Sequence, residues 1–154
     1  MRLTIWAAFW CLLLDQATKF FVVQWLDLRG RGEIDVLPPL LNFRMAWNPG
    51  VNFGLGGSFA ARWLLIALAL AIVVWILLWI RKGTQGRLAR ISAGFLIGGA
   101  LGNVIDRVLY GAVADFINMS CCGIENPFSF NVADIAIFAG AAGLIVFAGE
   151  KKTP

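Results

Sequence analysis

Charged side chains interrupt the apolar stretches of this sequence at only a few positions. Asp15 and Lys19 lie in an apolar run near the N-terminus, and Asp106 with Arg107 lies in a later one. A central Asp or Lys costs roughly 2.5 to 3.5 kcal/mol on membrane-insertion scales, and charges inside spans usually face a bundle interior or a wet cavity. These residues are therefore candidates for one functional site.

The residue types exclude several kinds of catalysis. The sequence contains no histidine, which excludes Ser-His-Asp and Cys-His catalysis and an H-E-x-x-H zinc site. Carboxylate chemistry remains: two aspartates held close share a proton, so that one activates water while the other protonates or polarises a carbonyl. The best-placed pair is Asp115 in VADF and Asp134 in FNVADIAIF. We expect no metal and no cofactor.

Two further aspartates are expected to be structural. Asp15 and Lys19 are four residues apart and can pair on one helix face, which would offset part of their burial cost and orient the site. Asp106 lies deeper in its helix with Arg107 beside it, and we predict a structural ion pair between these two side chains.

The composition indicates that membrane helices position these residues. The 154 residues are 60% hydrophobic and only 14% charged, too apolar for an ordinary soluble domain. We predict a single α-helical, polytopic membrane domain over residues 1–154. Its transmembrane helices are predicted at about 3–26, 63–80, 88–110 and 130–149. The first stretch resembles a secretory signal peptide, but it lacks a small-x-small site and is expected to be a retained helix.

The basic residues predict the orientation. Under the positive-inside rule both termini would be cytoplasmic, on the evidence of Arg2, Arg81, Lys82, Arg87, Arg90, Lys151 and Lys152. The net charge of +4 is then mostly topological, and no nucleic-acid partner is expected. In this orientation the polar residues of the first, third and fourth helices meet at one depth near the outer leaflet.

Small residues predict how the helices approach one another. Asn103 and Asp106 share a face of the third helix, beside glycines at every fourth position: Gly94, Gly98 and Gly102. A comparable seam in the fourth helix consists of Ala133, Ala136, Gly140 and Gly143. Close packing of these two helices would bring the Asn103 face near Asn131 and Asp134.

The outer segments are expected to cover the site. Residues 33–57 combine Pro38-Pro39 with short apolar stretches and glycines, which predicts a small β-rich layer. Trp47 and Phe53 would anchor it in the interface, and Asn48 would hydrogen-bond the substrate backbone. Residues 111–129 are predicted to form a second outer loop over the site.

Two other functions fit parts of this pattern. Intramembrane carboxylates also occur in transporters and proton relays, but the second helix is wholly apolar and the inner halves of the spans carry no acids. A thiol-disulfide oxidoreductase could use Cys121 and Cys122, with Cys11 as a third thiol. Adjacent cysteines rarely bridge to each other, and neither a C-x-x-C motif nor a cofactor site is visible.

Five segments resemble the lipoprotein signal peptidase family, also called signal peptidase II. They are DQATK, NPGVNFG, GGALGNVIDR, VADF and FNVADIAI, in the family's order and separations. The similarity runs from about Leu3 to Gly149, with Asn52 where the family usually has alanine and Ile135 where serine is common.

The resemblance implies a four-helix aspartic endopeptidase of the bacterial inner membrane with an outer β-rich cradle. Its substrate would be a prolipoprotein, cleaved on the amino side of a diacylglyceryl-modified cysteine, and its surroundings would be membrane lipid. Asp115 and Asp134 match the catalytic aspartates of the family. The other matching positions are Asp15, Lys19, Asn48, Gly50, Asn103, Asp106, Arg107 and Asn131. We expect the enzyme to act as a monomer.

Overall fold

The computed structural model describes residues 1–50, 58–124 and 126–149, which form long helices and one small sheet. In chain order the elements are α1 (Arg2–Lys19), continued by a π-helical segment (Phe20–Trp25), α2 (Leu28–Arg31), β1 (Glu33–Leu37), β2 (Leu41–Asn48), α3 (Ser58–Arg81), α4 (Arg87–Tyr110), β3 (Val113–Asn118) and α5 (Val132–Phe147).

Three of these helical segments are long and apolar enough to cross a membrane: Arg2–Trp25, Phe59–Arg81 and Arg87–Tyr110. The fourth predicted span corresponds to α5, an apolar helix of 16 residues, or about 24 Å. The predicted class, a helical membrane protein with a small sheet, is confirmed. The main differences in bounds are that α3 begins before the predicted residue 63 and that α5 is shorter than 130–149.

Helix α4 lies between α1 and α5 and contacts them through different small residues. A Cβ added at Gly98 would meet the backbone of Ala8, so α1 packs directly on the glycine stripe. On another face, a Cβ at Gly99 would meet the backbone of Ala133 in α5. Close packing of α4 with α5 is confirmed, but the glycine stripe at Gly94 and Gly98 packs on α1, and α5 packs at Gly99. Together these approaches bring polar groups of three helices into contact.

The three strands form an antiparallel sheet in the order β1-β2-β3. The β-rich prediction for 33–57 is confirmed for 33–48, whereas Asn52 and Phe53 lie outside the described residues. The prediction of an outer loop over 111–129 is wrong in part, because Val113–Asn118 is the third strand. This strand is almost wholly buried, so it lacks the polar alternation by which a half-exposed strand is recognised.

A short pairing joins β3 to the start of α5. Ile117 and Phe130 exchange two backbone hydrogen bonds of 2.8 and 3.0 Å. Asn118 also donates from Nδ2 to the carbonyl oxygens of Asn126 and Phe128, at 2.8 and 2.9 Å. These contacts close the intervening loop and place the N-terminus of α5 beside the strand that carries Asp115.

Candidate active site

Asn131 links the two aspartates predicted to be catalytic. It is the N-cap of α5, where its Oδ1 accepts a hydrogen bond from the backbone N–H of Asp134 at 2.9 Å. The Oδ2 of Asp134 accepts in turn from the backbone N–H of Asn131 at 3.2 Å, which completes a capping box. The Nδ2 of Asn131 donates to Oδ1 of Asp115 at 2.6 Å. One fully buried residue therefore holds both carboxylates, that of Asp115 through its side-chain amide and that of Asp134 through its backbone N–H.

Each aspartate has a second amide partner from another element. In α4, Asn103 donates from Nδ2 to Oδ1 of Asp134 at 2.9 Å, and its Oδ1 accepts from Asn131 at 3.3 Å. At the end of β2, Asn48 donates from Nδ2 to Oδ2 of Asp115 at 3.0 Å. The predicted meeting of the Asn103 face with Asn131 and Asp134 is confirmed.

Asn48 was expected to hydrogen-bond the substrate backbone, but in the structure its side chain binds other residues of the protein. Its Nδ2 binds Asp115, and its Oδ1 accepts from the backbone N–H of Gly50 at 2.9 Å. Gly50 has a φ of +91°, which favours glycine, and an added Cβ would meet the side chain of Leu65. Both polar ends of Asn48 thus have protein partners, and the side chain is placed to orient Asp115.

Lys19 lies at the centre of a buried charge cluster formed by α1 and α4. Its Nζ is 2.8 Å from Oδ2 of Asp15 and 2.8 Å from Oδ2 of Asp106. It also contacts Oδ1 of Asn103 at 3.3 Å. The ion pair predicted within α1 is confirmed, because residues four apart lie on the same helix face.

The ion pair predicted between Asp106 and Arg107 is wrong. Asp106 pairs with Lys19 in α1, because consecutive residues in a helix point in different directions. Arg107 donates from one terminal nitrogen to the carbonyl oxygen of Asn103, at 3.4 Å. Among the described residues its buried Nε has no hydrogen-bond partner.

Both carboxylates that bind Lys19 also hold backbone N–H groups next to the candidate dyad. Oδ2 of Asp106 accepts from the N–H of Ala114 at 3.1 Å. Oδ1 of Asp15 accepts from the N–H of Ala133 at 2.9 Å. Ala114 and Ala133 directly precede Asp115 and Asp134, each within a V-A-D triplet. The charge cluster therefore fixes the backbone immediately before each aspartate.

Gln16 was not singled out from the sequence, yet it belongs to this cluster. Its Nε2 donates to Oδ2 of Asp15 at 3.1 Å and to Oδ1 of Asp106 at 3.2 Å. The sequence feature that could have identified Gln16 is its amide side chain, which lies in an otherwise apolar run next to Asp15. Gln16 therefore bridges the same two carboxylates that Lys19 pairs with.

A cavity of about 550 Å³ opens beside Asp115. Asn48, Gly50, Arg107 and Phe128 are among its lining residues. A second, more apolar cavity of about 280 Å³ lies between α3, α4 and α5. Leu65 and Arg107 line both cavities, so the cavity beside Asp115 adjoins the more apolar one.

Burial changes the acidity of Asp115. The side chain is only 3% exposed, and this desolvation raises its pKa from 3.8 to about 6. The charge of Asp134 acts in the same direction, while hydrogen bonds from Asn48 and Asn131 oppose it. A carboxyl that retains its proton to about pH 6 is suited to donate that proton, which is the division of roles that two neighbouring aspartates require.

Comparisons with known proteins identify the family of this chain. Residues 7–148 match the Peptidase_A8 family, described as signal peptidase (SPase) II. A lipoprotein signal peptidase of Methylobacterium radiotolerans is 45% identical over 139 residues, covering 88% of this chain and 78% of its own length. One of Rhodopseudomonas palustris is 37% identical over 150 residues, covering 94% and 90%.

A solved structure described as a bacterial membrane enzyme, determined by the in meso method at 1.9 Å resolution, superposes with a TM-score of 0.78. It shares 29% of its sequence with this chain, and the match covers 93% of this chain and 90% of that one. The family match spans nearly all the elements that build the site, from α1 to α5. The chain therefore belongs to the signal peptidase II family, Peptidase_A8, whose members are aspartic peptidases.

Proposed function

We propose that the chain removes signal peptides from prolipoproteins, with Asp115 and Asp134 as its catalytic dyad. The observation that carries this proposal is the position of Asn131, which hydrogen-bonds both carboxylates from the N-terminus of α5. Family membership supplies the reaction class. The relatives named lipoprotein signal peptidase supply the class of substrate.

The two aspartates differ in ways that suit different roles. Asp115 is the more buried and has the raised pKa, so it is assigned as the proton donor. Asp134 accepts hydrogen bonds from Asn103 and from the backbone of Asn131 at a helix N-terminus, contacts that suit an ionised carboxylate. Asp134 is therefore assigned as the base that activates water.

The reaction follows from these roles. The ionised carboxylate takes a proton from water as the water oxygen bonds to the scissile carbonyl carbon, and the neutral carboxyl gives its proton to the carbonyl oxygen. When the tetrahedral intermediate breaks down, the C–N bond cleaves, the leaving amine receives the proton held by Asp134, and Asp115 takes back a proton from a hydroxyl of the intermediate as the carbonyl re-forms. Asn48, Asn103 and Asn131 act as positioning residues, because each contacts an aspartate of the dyad.

We propose further that the substrate carries a diacylglyceryl-modified cysteine and is cleaved on its amino side. The apolar cavity between α3, α4 and α5 offers a surface for acyl chains, and it adjoins the dyad cavity at Leu65 and Arg107. Arg107 lines both cavities, so its guanidinium lies where the lipid-bearing part of such a substrate would meet the dyad cavity.

The proposed setting is the inner membrane of a bacterium, with both termini in the cytoplasm and the dyad near the outer leaflet. The placement of basic residues supports this orientation. The chain is proposed to act as a single membrane domain and as a monomer, since one chain contains both aspartates and their positioning side chains. Its partners would be the prolipoprotein and membrane lipid, without nucleic acid.

Cleavage of a defined precursor tests the function. Purified protein is incubated with a precursor that carries the diacylglyceryl cysteine and with the same precursor lacking the modification. We expect signal-peptide release from the first only, with the new N-terminus at the modified cysteine by mass spectrometry. The Asp134→Asn protein is the control for a contaminating protease. Equal cleavage of both precursors would contradict the lipid requirement, and no cleavage of either by folded protein would contradict the function.

A further inference from the structure

Two adjacent thiols lie in the loop between β3 and α5, outside the hydrogen-bond network of the dyad. The Sγ atoms of Cys121 and Cys122 are 2.8 Å apart, and both side chains are exposed. This separation is shorter than an ordinary contact between two non-bonded sulfur atoms and approaches the disulfide bond length of about 2.05 Å. The fold therefore holds two accessible thiols almost within bonding distance.

The backbone of this loop explains the close approach. The N–H of Ile124 donates to the carbonyl oxygen of Cys121 at 2.9 Å, which closes a tight turn around Cys122 and Gly123. Cys122 has a φ of +60°, a left-handed conformation that is uncommon for a residue with a side chain. The turn thus holds Cys122 in a restricted conformation, and in that conformation its thiol meets the thiol of Cys121.

We propose that Cys121 and Cys122 form a redox modification site that closes to a vicinal disulfide by exchange with an external disulfide. In the first step the thiolate of one cysteine attacks the external disulfide, which forms a mixed disulfide and releases one thiol. In the second step the neighbouring thiolate attacks the cysteine sulfur of the mixed disulfide and releases the second thiol. The two cysteines lose two electrons and two protons in total, and the external disulfide is reduced to two thiols.

The disulfide between Cys121 and Cys122 is expected to be easily reduced back to two thiols. Consecutive Cα atoms are about 3.8 Å apart across a trans peptide, whereas disulfide-bonded residues usually have Cα atoms about 4.4 to 6.8 Å apart. A bond between adjacent residues is therefore strained, and strained or exposed disulfides are the more easily reduced ones. Exposure of both thiols also admits the reductant.

The proposal does not depend on peptidase activity, because the chemistry uses neither aspartate. The two thiols nevertheless lie near the candidate dyad in sequence. Their loop is attached at Asn118, three residues after Asp115, and runs on to Asn131 beside Asp134. Phe128, held through its carbonyl oxygen by Asn118, lines the cavity beside Asp115. The modification would therefore occur within the segment that joins the two aspartates.

Thiol counting on the purified full-length protein tests the proposal. Reduced, folded protein is treated with glutathione disulfide near pH 8.5, where a free thiol is about half ionised, then acid-quenched, denatured and alkylated. We expect the loss of two of the three alkylation sites, no retained glutathione, and a peptide containing residues 121 and 122 that is two hydrogens lighter. Dithiothreitol should restore all three sites.

Matched variants assign the result to the adjacent pair. Cys11→Ser should still lose two alkylation sites, whereas Cys121→Ser and Cys122→Ser should stop at a stable glutathione adduct. Closure in the wild type that survives loss of either loop cysteine would overturn the proposal. A retained adduct, a disulfide-linked dimer or unchanged alkylation of the folded wild-type protein would overturn it as well.

Discussion

The side chain of Asn131 donates a 2.6 Å hydrogen bond to the carboxylate of Asp115 while its own Oδ1 caps the helix that carries Asp134. Capping and positioning can be separated by substitution. Serine caps a helix about as well as asparagine, but it lacks the amide that reaches Asp115. We expect Asn131→Ser to lower cleavage strongly and to melt at a higher temperature than Asn131→Ala, because it keeps the cap, while loss of the buried amide destabilises both variants. Asn131→Ala should lower both, with about 1 kcal/mol of stability lost with the cap. Unchanged cleavage by Asn131→Ser would show that the contact to Asp115 is not needed.

Replacing either aspartate of the dyad should abolish cleavage without unfolding the protein. An amide cannot take a proton from water, and one carboxylate cannot serve as base and acid together. Because the two residues act as a unit, the protein carrying both Asp115→Asn and Asp134→Asn should be about as inactive as either single variant. Asp35→Asn, at an exposed position of β1, is the matched control and should cleave normally. Substantial cleavage by a folded Asp115→Asn protein would contradict the dyad.

Removing the cation of the buried charge cluster should affect stability. Lys19→Met leaves Asp15 and Asp106 without their counter-charge, and breaking a buried pair in this way costs roughly 3 to 5 kcal/mol. Melting of the detergent-solubilised protein measures this loss, with the exposed Lys82→Met as the control. Asp106→Asn should also melt earlier, because Ala114 and Lys19 lose an ionised acceptor. A Lys19→Met protein as stable as the Lys82→Met control would contradict the structural role.

The rate of cleavage should fall as the pH rises through about 6. Burial raises the pKa of Asp115 to that value, so the carboxyl is protonated below it and ionised above it. An acid that must donate its proton is lost as the pH increases, which predicts an alkaline limb in kcat/KM. The raised pKa also makes folding stability decrease as pH rises from about 4 to about 6, because the folded state binds the proton more tightly.

Removing a hydrogen bond to Asp115 should move that alkaline limb in a known direction. The contact from Asn48 lowers the pKa of Asp115, so Asn48→Ala should shift the limb to higher pH while slowing the reaction. Asn42→Ala lies in the same strand without a contact to Asp115 among the described residues, and it should leave the limb in place. A shift of the limb to lower pH in Asn48→Ala would contradict the assignment of Asp115 as the acid.

Reporter fusions test the orientation. A reporter active only in the cytoplasm, joined to the C-terminus, and an export-active reporter joined near Gly30 should both give signal, because the basic residues favour cytoplasmic termini. Exchanging the two reporters is the control and should silence both. The reverse pattern would place the dyad on the cytoplasmic side and would contradict the proposed setting.

Local spacing predicted the contacts that arise within one helix, and tertiary contacts decided the others. The pair Asp15 and Lys19 follows from a separation of four residues. The same rule weighs against an ion pair between Asp106 and its immediate neighbour Arg107. The actual partner of Asp106 is Lys19, which belongs to another helix. Strand β3 was missed because a buried strand has no alternation to recognise.

The hydrogen bonds to the backbone of the residues that precede Asp115 and Asp134 could not be predicted from the sequence either. The N–H groups of Ala114 and Ala133 carry no residue-specific signal, although the repeated V-A-D triplet marks both places. The candidate dyad could be chosen from the sequence, since few acids occur in so apolar a chain and both lie near the ends of spans. Its supporting contacts depend on how α1, α4 and α5 pack.

The pairing of Lys19 with two carboxylates also bears on biosynthesis. Asp15 and Lys19 belong to one helix, so during insertion of α1 they can neutralise each other before any later helix exists. Asp106 has no such partner in α4 and acquires its counter-charge only when it meets Lys19. Helix α1 thus enters the bilayer with Asp15 and Lys19 already paired, and Lys19 provides the docking point that makes burial of Asp106 in α4 favourable.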